Sequence, residues 1–331
     1  MGIWSFNDIK ESGIKIKPRP KIKDISIDLS LEKLFSIDNF EMVHEIMRKP
    51  FDPLDPIGGK TSGFLDLLKL REMKTVDGRW YLNRCVPVVA KYREKFTGRV
   101  HAIDRVQCDV TQRSTYARCG IGGFAYDIKN GYFWELLIPV LNNIVYPGDE
   151  ISQVTLMDED TTTMGQDKVL ELLKRSEIAV FNDSNPRRTL VSVNYGGFIP
   201  LSLHKNVYMF DGNWIDRKNF KKEDFIPLNL MKTRISKHNF LIGRSNETVS
   251  LSSAYAAKLT KVDPTHFSTI TYAPYIKPTT CGVVITEMFH AEDRGIHPDL
   301  TIPMYLIEVK TPCSQYTGKY NRQCDVILPF V

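Results

Sequence analysis

From about residue 80 onward the chain consists of short apolar or alternating segments separated by turn residues. The segments are rich in Val, Ile, Thr, Tyr and Phe, which is typical of strands. Many short strands with few helices predict an all-β or β-dominant fold with a jelly-roll-like β-sandwich core and a few flanking helices. The predicted strands begin near residues 79, 130, 150, 177, 189, 197, 224, 238, 266, 281 and 304.

Two segments have a helical pattern instead. Residues 40–49 follow Asp38, which we expect to cap the helix. Residues 168–175 follow Thr163 and Gln166, whose spacing is that of a capping box. The apolar face of this second helix consists of Val169, Leu170, Leu172 and Leu173.

The N-terminal segment 7–28 is strongly basic and contains Pro18 and Pro20. Since proline disrupts a helix, we expect an extended basic arm followed by a strand. The whole chain divides into a basic arm with a helical segment (1–95), a β-sandwich core (96–245) and a β-rich C-terminal extension (246–331).

Composition is that of a globular protein, because 42% of the 331 residues are hydrophobic and 25% are charged. The net charge is +5 overall, with +5 in residues 1–100, −4 in residues 101–200 and +4 in residues 201–331. An acidic middle between basic flanks suggests that the ends of the chain hold a polyanion, although scatter on a solvated surface explains the same pattern. The six cysteines form no CxxC pair, and no secretory segment opens the chain, so reduced thiols in a cytosolic compartment are expected.

A series of segments in the middle of the chain carries a resemblance. It comprises an apolar strand (136–141), a Tyr-Pro-Gly-Asp turn (146–149), a strand ending in Leu-x-Asp at Asp158, a segment ending at Tyr195 that precedes Gly-Gly-Phe-Ile (196–199), and a Pro-Leu-x-Leu strand containing Pro227 and Leu228. In this order the series resembles the thirty-kilodalton superfamily of plant-virus movement proteins, over residues 130–242.

The resemblance implies a non-enzymatic protein that carries a plant virus's genome through plasmodesmata. Its implied partners are viral RNA or nucleocapsid, host plasmodesmal or membrane-associated proteins, and further copies of itself as a homo-oligomer. Its implied location is the host cytoplasm and the cell periphery at plasmodesmata, and it needs no cofactor. A viral matrix or capsid-like protein is the alternative of the same class.

Within this interpretation five residues are structural. We expect Asp158 to form the turn that follows its strand by accepting backbone N–H bonds. We expect Tyr195 and Phe198 to pack in the core. Pro227 and Leu228 belong to the Pro-Leu-x-Leu strand.

A basic segment between residues 217 and 237 is the candidate nucleic-acid site. Cations neutralise phosphates and interleaved aromatics can stack on bases, which suits single-strand binding without base readout. A solvated strand edge guarded by lysines is the competing explanation. The candidate residues are Arg217, Lys218, Lys221, Lys222, Lys232, Arg234 and Lys237.

One enzymatic alternative remains open. Asp299, Glu308 and Lys310 fit the PD-(D/E)xK nuclease pattern, in which two carboxylates hold Mg²⁺. His290, His297, Cys281 and Cys313 do not have the spacing of a zinc site. We therefore expect no metal and no catalytic residue.

Overall fold

The computed structural model describes residues 2–48, 63–97, 106–182, 185–188, 192–219, 221–232, 239–259, 274–289 and 301–314. The fold is β-dominant, and its sheets curl into a nearly closed barrel or sandwich, which confirms the predicted fold class. The division at residues 95/96 and 245/246 stays a prediction.

The strands are short, as expected for a chain with frequent turn signals. They are β1 (Lys15–Lys17), β2 (Ile22–Lys23), β3 (Ser26–Ile37), β4 (Leu70–Glu72), β5 (Trp80–Leu82), β6 (Val88–Thr97), β7 (Val106–Gln112), β8 (Ile121–Lys129), β9 (Tyr132–Pro139), β10 (Asn143–Val145), β11 (Glu150–Asp158), β12 (Ile178–Asn182), β13 (Asn185–Arg188), β14 (Ile199–Ser202), β15 (Asn206–Phe210), β16 (Ile215–Asp216), β17 (Phe225–Asn229), β18 (Phe240–Leu251), β19 (Tyr255–Leu259), β20 (Tyr275–Ile276), β21 (Cys281–Phe289) and β22 (Thr301–Glu308).

Helices are few and short in the described part of the chain. They are α1 (Phe6–Glu11), α2 (Phe40–Arg48), α3 (Phe64–Leu67), α4 (Ser114–Ala117) and α5 (Gln166–Lys174), with a 3-10 turn at Lys222–Asp224. None of these helices is long and apolar enough to cross a membrane.

Both predicted helices form, as α2 and α5, but their predicted caps are wrong. Asp38 accepts a hydrogen bond from Arg71 Nη2 at 2.8 Å instead. The residue that precedes α5 is Gly165, and Gln166 Nε2 donates to the carbonyl of Val193 at 2.9 Å. Hydrogen bonds with residues distant in sequence replace both predicted helix caps.

The N-terminal arm is extended at β1 and β2, as predicted, but begins with a helix that the sequence analysis missed. Ser5 and Asp8 form a complete capping box at the start of α1. The capping box lies before Pro18 and Pro20 in the chain, so the disruption of a helix by proline does not affect α1. The predicted strand at 189–195 is also wrong for the described residues 192–195. Asn194 there accepts from the backbone N–H of Gly197, which has φ +80°, and forms a turn.

The two halves of the chain build largely separate sheets, joined by a three-stranded sheet in which β10 of the first half pairs with β5 of the same half and with β16 of the second half. Nine of the described strands, all before residue 159, form the first sheet in the order β7-β11-β3-β6-β9-β8 with β1, β2 and β4 alongside. The second half forms a sheet of six described strands around β18 and one of four around β22. Each half has its own apolar core, centred on residues such as Tyr92 and Phe133 in the first and Leu201 and Leu306 in the second.

We call the boundary between these halves the seam. Ala117 and Val140 of the first half pack there against Phe240 and Ile285 of the second. The N-terminal residues lie in the seam as well, since Ile3 bridges to Met157 on one side and to Val309 on the other.

Candidate active site

A cavity of about 840 Å³ opens in the seam. Pockets of roughly 300–1,000 Å³ hold small-molecule ligands, so its size suits a nucleotide-sized molecule. The two halves line opposite walls of this seam cavity. The polar and charged lining residues on which the argument rests are Lys23, Asp24, Asp28, Arg113, Arg118, Lys277 and Glu287.

The first wall comes from the segment that joins β7 to β8. The chain leaves β7 at Arg113 and turns at once into α4, because the amides of Tyr116 and Ala117 donate to the carbonyl of Arg113 at 2.9 Å. This tight turn presents Arg113, Ser114 and Thr115 to the cavity and ends at Arg118.

Arg118 meets Glu287 across the seam. Its Nε lies 3.6 Å from Glu287 Oε1, and both side chains are almost fully buried. Glu287 lies in β21 on the same face as Val283 and Ile285, which pack against α4 through Ala117. A carboxylate in such an apolar strand is costly unless a cation stabilises it, and Arg118 fills that role.

A second ionic group also lines the cavity. The buried carboxylate of Asp28 is 3.4 Å from Arg113 Nε and 3.3 Å from Lys23 Nζ. Arg113 also pairs closely with Glu150. Each cation of this group therefore already faces a carboxylate of the protein.

Lys277 and Asp24 complete the lining. Lys277 Nζ donates to Ser26 Oγ at 3.0 Å. Burial lowers the pKa of Lys277 to about 8, while Asp24 and Asp28 oppose that shift. Burial also raises the pKa of Asp24, against the attraction of Lys277 and Lys23. Asp24 has φ +45°, a conformation that costs energy for a residue other than glycine and often marks a functional site.

A further buried carboxyl, Glu135 of β9, lies one layer behind this wall. It accepts hydrogen bonds from Tyr92 OH, from Ser152 Oγ at 2.7 Å and from Gln112 Nε2 at 2.6 Å. Burial raises its pKa to about 7, although these three bonds favour the charged form. The neighbouring position must be glycine, because a Cβ at Gly123 would lie 2.0 Å from Glu135 Oε1. Glu135 is enclosed by the first sheet and does not line the cavity.

The described residues of the basic segment predicted to bind nucleic acid are not among those that line the seam cavity. Lys221, Lys222 and Lys232 are exposed. Arg217 stacks on Tyr116 at 5.4 Å, and Lys218 lies 3.3 Å from the centre of the Tyr146 ring. Arg234 and Lys237 lie outside the described residues. A nucleic-acid role for this segment stays a prediction.

The predicted structural residues have different environments. Asp158 ends β11, as predicted, but its carboxylate accepts from Gly2 N, Trp4 Nε1 and Lys310 Nζ, and the following turn is bonded through its backbone carbonyl. Tyr195 is 93% exposed, so its predicted place in the core is wrong. Pro227 is exposed in β17 and Leu228 is half-buried beside the second core.

The residues considered for metal chemistry do not form a described cluster. Asp299, His290 and His297 lie outside the described residues. Glu308 is exposed at the end of β22, and Lys310 Nζ lies 3.0 Å from Asp158 Oδ1. Cys313 donates its thiol to the carbonyl of Asp24, and burial raises its pKa to about 11. Cys281 is half-buried at the start of β21.

Sequence reasoning missed both walls of the cavity. The usable signal was a single glutamate, Glu287, within the apolar segment 281–289, where alternation alone predicts only a buried strand. Its partner Arg118 gave no signal, because nothing in the sequence indicates which two segments meet across the seam.

No family model matches the sequence, and no curated protein matches it either. The structure is similar to the crystal structure of 2'-deoxycytidine 5'-triphosphate deaminase from Agrobacterium tumefaciens, with a TM-score of 0.68. The two share 14% sequence identity, and the similarity covers 94% of this chain and 96% of that chain. At this identity the likeness establishes the fold.

This likeness corrects the functional interpretation of the sequence. The chain was expected to be a non-enzymatic movement protein, with a matrix or capsid-like protein and a nuclease as alternatives. These expectations are wrong, because the structure is similar over 94% of the chain to that of a 2'-deoxycytidine 5'-triphosphate deaminase. The expected partners and the expected location at plasmodesmata stay untested predictions.

Proposed function

We propose that the protein is an enzyme of nucleotide metabolism that hydrolytically deaminates a cytosine nucleotide in the seam cavity. The observation that carries the proposal is the buried Arg118–Glu287 pair on the wall of a nucleotide-sized cavity. The likeness of the fold to a deoxycytidine triphosphate deaminase supports the same reaction class.

Deamination replaces the amino group at C4 of cytosine by oxygen. A water molecule adds to C4, the bond from C4 to the amino nitrogen breaks, and ammonia leaves. A carboxylate that takes a proton from the water and passes it to the leaving nitrogen supplies the general acid–base step. Glu287 is the candidate for that role, and the guanidinium of Arg118 lies beside it.

The other wall would bind the polar part of the substrate. Arg113, Lys23 and Lys277 supply positive charge at one end of the cavity, and the hydroxyls of Ser114 and Thr115 face the same space. Charged and hydroxyl donors of this kind bind phosphate oxygens. The apolar residues Val283, Val284 and Ile285 of β21 provide the surface for the base.

The test is an assay of the purified protein with deoxycytidine and cytidine nucleotides, in which uracil nucleotide and ammonia are both measured. We expect Glu287→Gln to lower kcat about 10²–10⁴-fold, the usual contribution of a general acid–base residue. The matched control is Glu135→Gln, which alters an equally buried glutamate outside the cavity and should keep its activity.

A thermal melt and nucleotide binding by calorimetry separate lost chemistry from lost folding. We expect Glu287→Gln to remain folded and to bind nucleotide without converting it. Two results contradict the proposal: a folded wild-type protein that forms no uracil product from any cytosine nucleotide, or a Glu287→Gln variant as active as the wild type.

A further inference from the structure

The charges of the side chains that line the seam cavity limit how much negative charge its ligand can carry. Among the residues that the structure describes, four cations line it (Lys23, Arg113, Arg118 and Lys277), against three carboxylates (Asp24, Asp28 and Glu287). Three of these cations already have anionic partners within the lining, since Arg118 faces Glu287, and both Lys23 and Arg113 face Asp28. Arg113 faces two carboxylates, Asp28 and Glu150. Little positive charge is left for a highly anionic ligand.

The carboxylates occupy the same end of the cavity as the cations that would receive phosphate. Asp24 lies in the turn between β2 and β3, and Asp28 lies within β3, so both flank Lys23. Both also lie close enough to Lys277 to act on its charge. Each phosphate added beyond the first would bring negative charge toward these carboxylates in a partly buried space, where repulsion is strong.

We infer that the cavity selects a nucleotide with a single phosphate over the corresponding triphosphate. This inference rests on the proposed function and specifies its substrate. A monophosphate carries a charge of about −1.5 to −2 at pH 7. The remaining cationic charge of the lining matches that value better than it matches a triphosphate.

Calorimetry with dCMP and dCTP tests the inference, with each titration run with and without MgCl₂. We expect the Kd of dCMP to be about tenfold lower than that of dCTP, a ratio that corresponds to ~1.4 kcal/mol. The Asp24→Asn variant should lower the Kd of dCTP by a factor at least about three times larger than that for dCMP, because it removes a repulsion that acts more strongly on the more highly charged ligand and keeps the side-chain shape.

The matched control is Asp77→Asn. Asp77 also has a positive φ, at +51°, and is exposed in a turn away from the cavity. Asparagine tolerates this conformation at both positions, so neither substitution adds backbone strain. We expect Asp77→Asn to bind both nucleotides like the wild type.

The outcomes separate this inference from the proposed function. Tighter binding of dCTP, in either magnesium condition, overturns the monophosphate preference and leaves the deaminase proposal intact. An Asp24→Asn variant that does not favour dCTP shows that the carboxylate does not set the preference. Binding of neither nucleotide by the folded protein overturns the proposed function itself.

Discussion

Glu135 and Glu287 are both about 1% exposed, yet they lie in regions that stabilise buried carboxyl groups differently. Inside the first sheet, Glu135 accepts hydrogen bonds from two hydroxyls and an amide. In the seam, Glu287 lies beside the guanidinium of Arg118 from the other half. The interior uses neutral donors from neighbouring strands, whereas the seam uses full charges from distant parts of the chain.

The other buried ions of the seam follow the same rule. Lys258 Nζ of β19 lies 2.6 Å from Asp109 Oδ2 of β7, and Tyr275 OH donates to the same oxygen at 2.8 Å. Neutral donors leave the pKa of Glu135 raised, which favours its protonated form. A cation stabilises the charged form instead. The carboxyl group that faces a cation lines the cavity, whereas the one that accepts hydrogen bonds from neutral donors does not.

The largest effect is expected from breaking the ion pair of the seam. Arg118→Leu leaves the Glu287 carboxylate buried without its cation, and loss of one partner of a buried pair typically costs ~3–5 kcal/mol. Chemical denaturation of the wild type and the variant measures the change. The double variant Arg118→Leu/Glu287→Leu should recover most of the loss, since it buries no uncompensated charge.

If the single variant and the double variant are equally destabilised, the pair contributes through packing alone. In that case charge pairing does not stabilise the buried carboxylate of the seam, and the difference drawn between the two regions does not hold there. Tyr92→Phe is the interior control, because it removes one neutral donor to Glu135 and should cost only ~1–3 kcal/mol.

Much of the fold was predictable from sequence because its strands are local patterns. The alternation within 150–158 predicts β11, and the apolar segment 281–289 predicts β21, with boundaries that the structure reproduces. Both regular helices were predictable from their apolar spacing. The turn at Asn194–Gly197 was not, since the residues before it are as strand-like as those of true strands.

The candidate site was not predictable, for a physical reason. Arg118 and Glu287 come together only because two halves with separate cores pack against each other. Sequence patterns report local conformation and burial, and they do not report which strand faces which helix across a seam. The basic segment at 217–237 was conspicuous in sequence because its charges are adjacent, whereas the charges of the cavity are scattered along the chain.

The pH dependence of stability should reveal the raised pKa of Glu135, the buried glutamate inside the first sheet. Burial raises the pKa of Glu135 from 4.5 to about 7 in the folded protein. Between these values the unfolded chain loses a proton that the folded protein keeps, so stability falls as pH rises, by about 3 kcal/mol in total. Glu135→Gln cannot lose that proton, so its stability relative to the wild type should rise from pH 4.5 to pH 7.

Denaturation curves at a series of pH values measure this difference. The exposed Glu159→Gln is the control, and its stability should stay parallel to that of the wild type. A Glu135→Gln variant that also stays parallel would show that the carboxyl is ionised throughout this range.

The smallest effect concerns Asp158, at the solvent-exposed end of the seam. Its carboxylate accepts from the backbone N–H of Gly2, from Trp4 Nε1 and from Lys310 Nζ. Burial alone would raise its pKa, but the bonds from Trp4, Lys310 and Gly2 hold the pKa below its usual value. Asp158→Ala removes all three bonds, and we expect a loss of ~1–2 kcal/mol because solvent screens the contact with Lys310. Asp158→Asn keeps an acceptor oxygen and should lose about half as much.

The neighbouring Glu159→Ala, which is exposed, serves as the control in the same thermal and chemical denaturation series. If Asp158→Ala is as stable as the wild type, the charged contacts at this end of the seam do not hold the halves together, and the distinction drawn between the two regions applies only to the buried ion pairs.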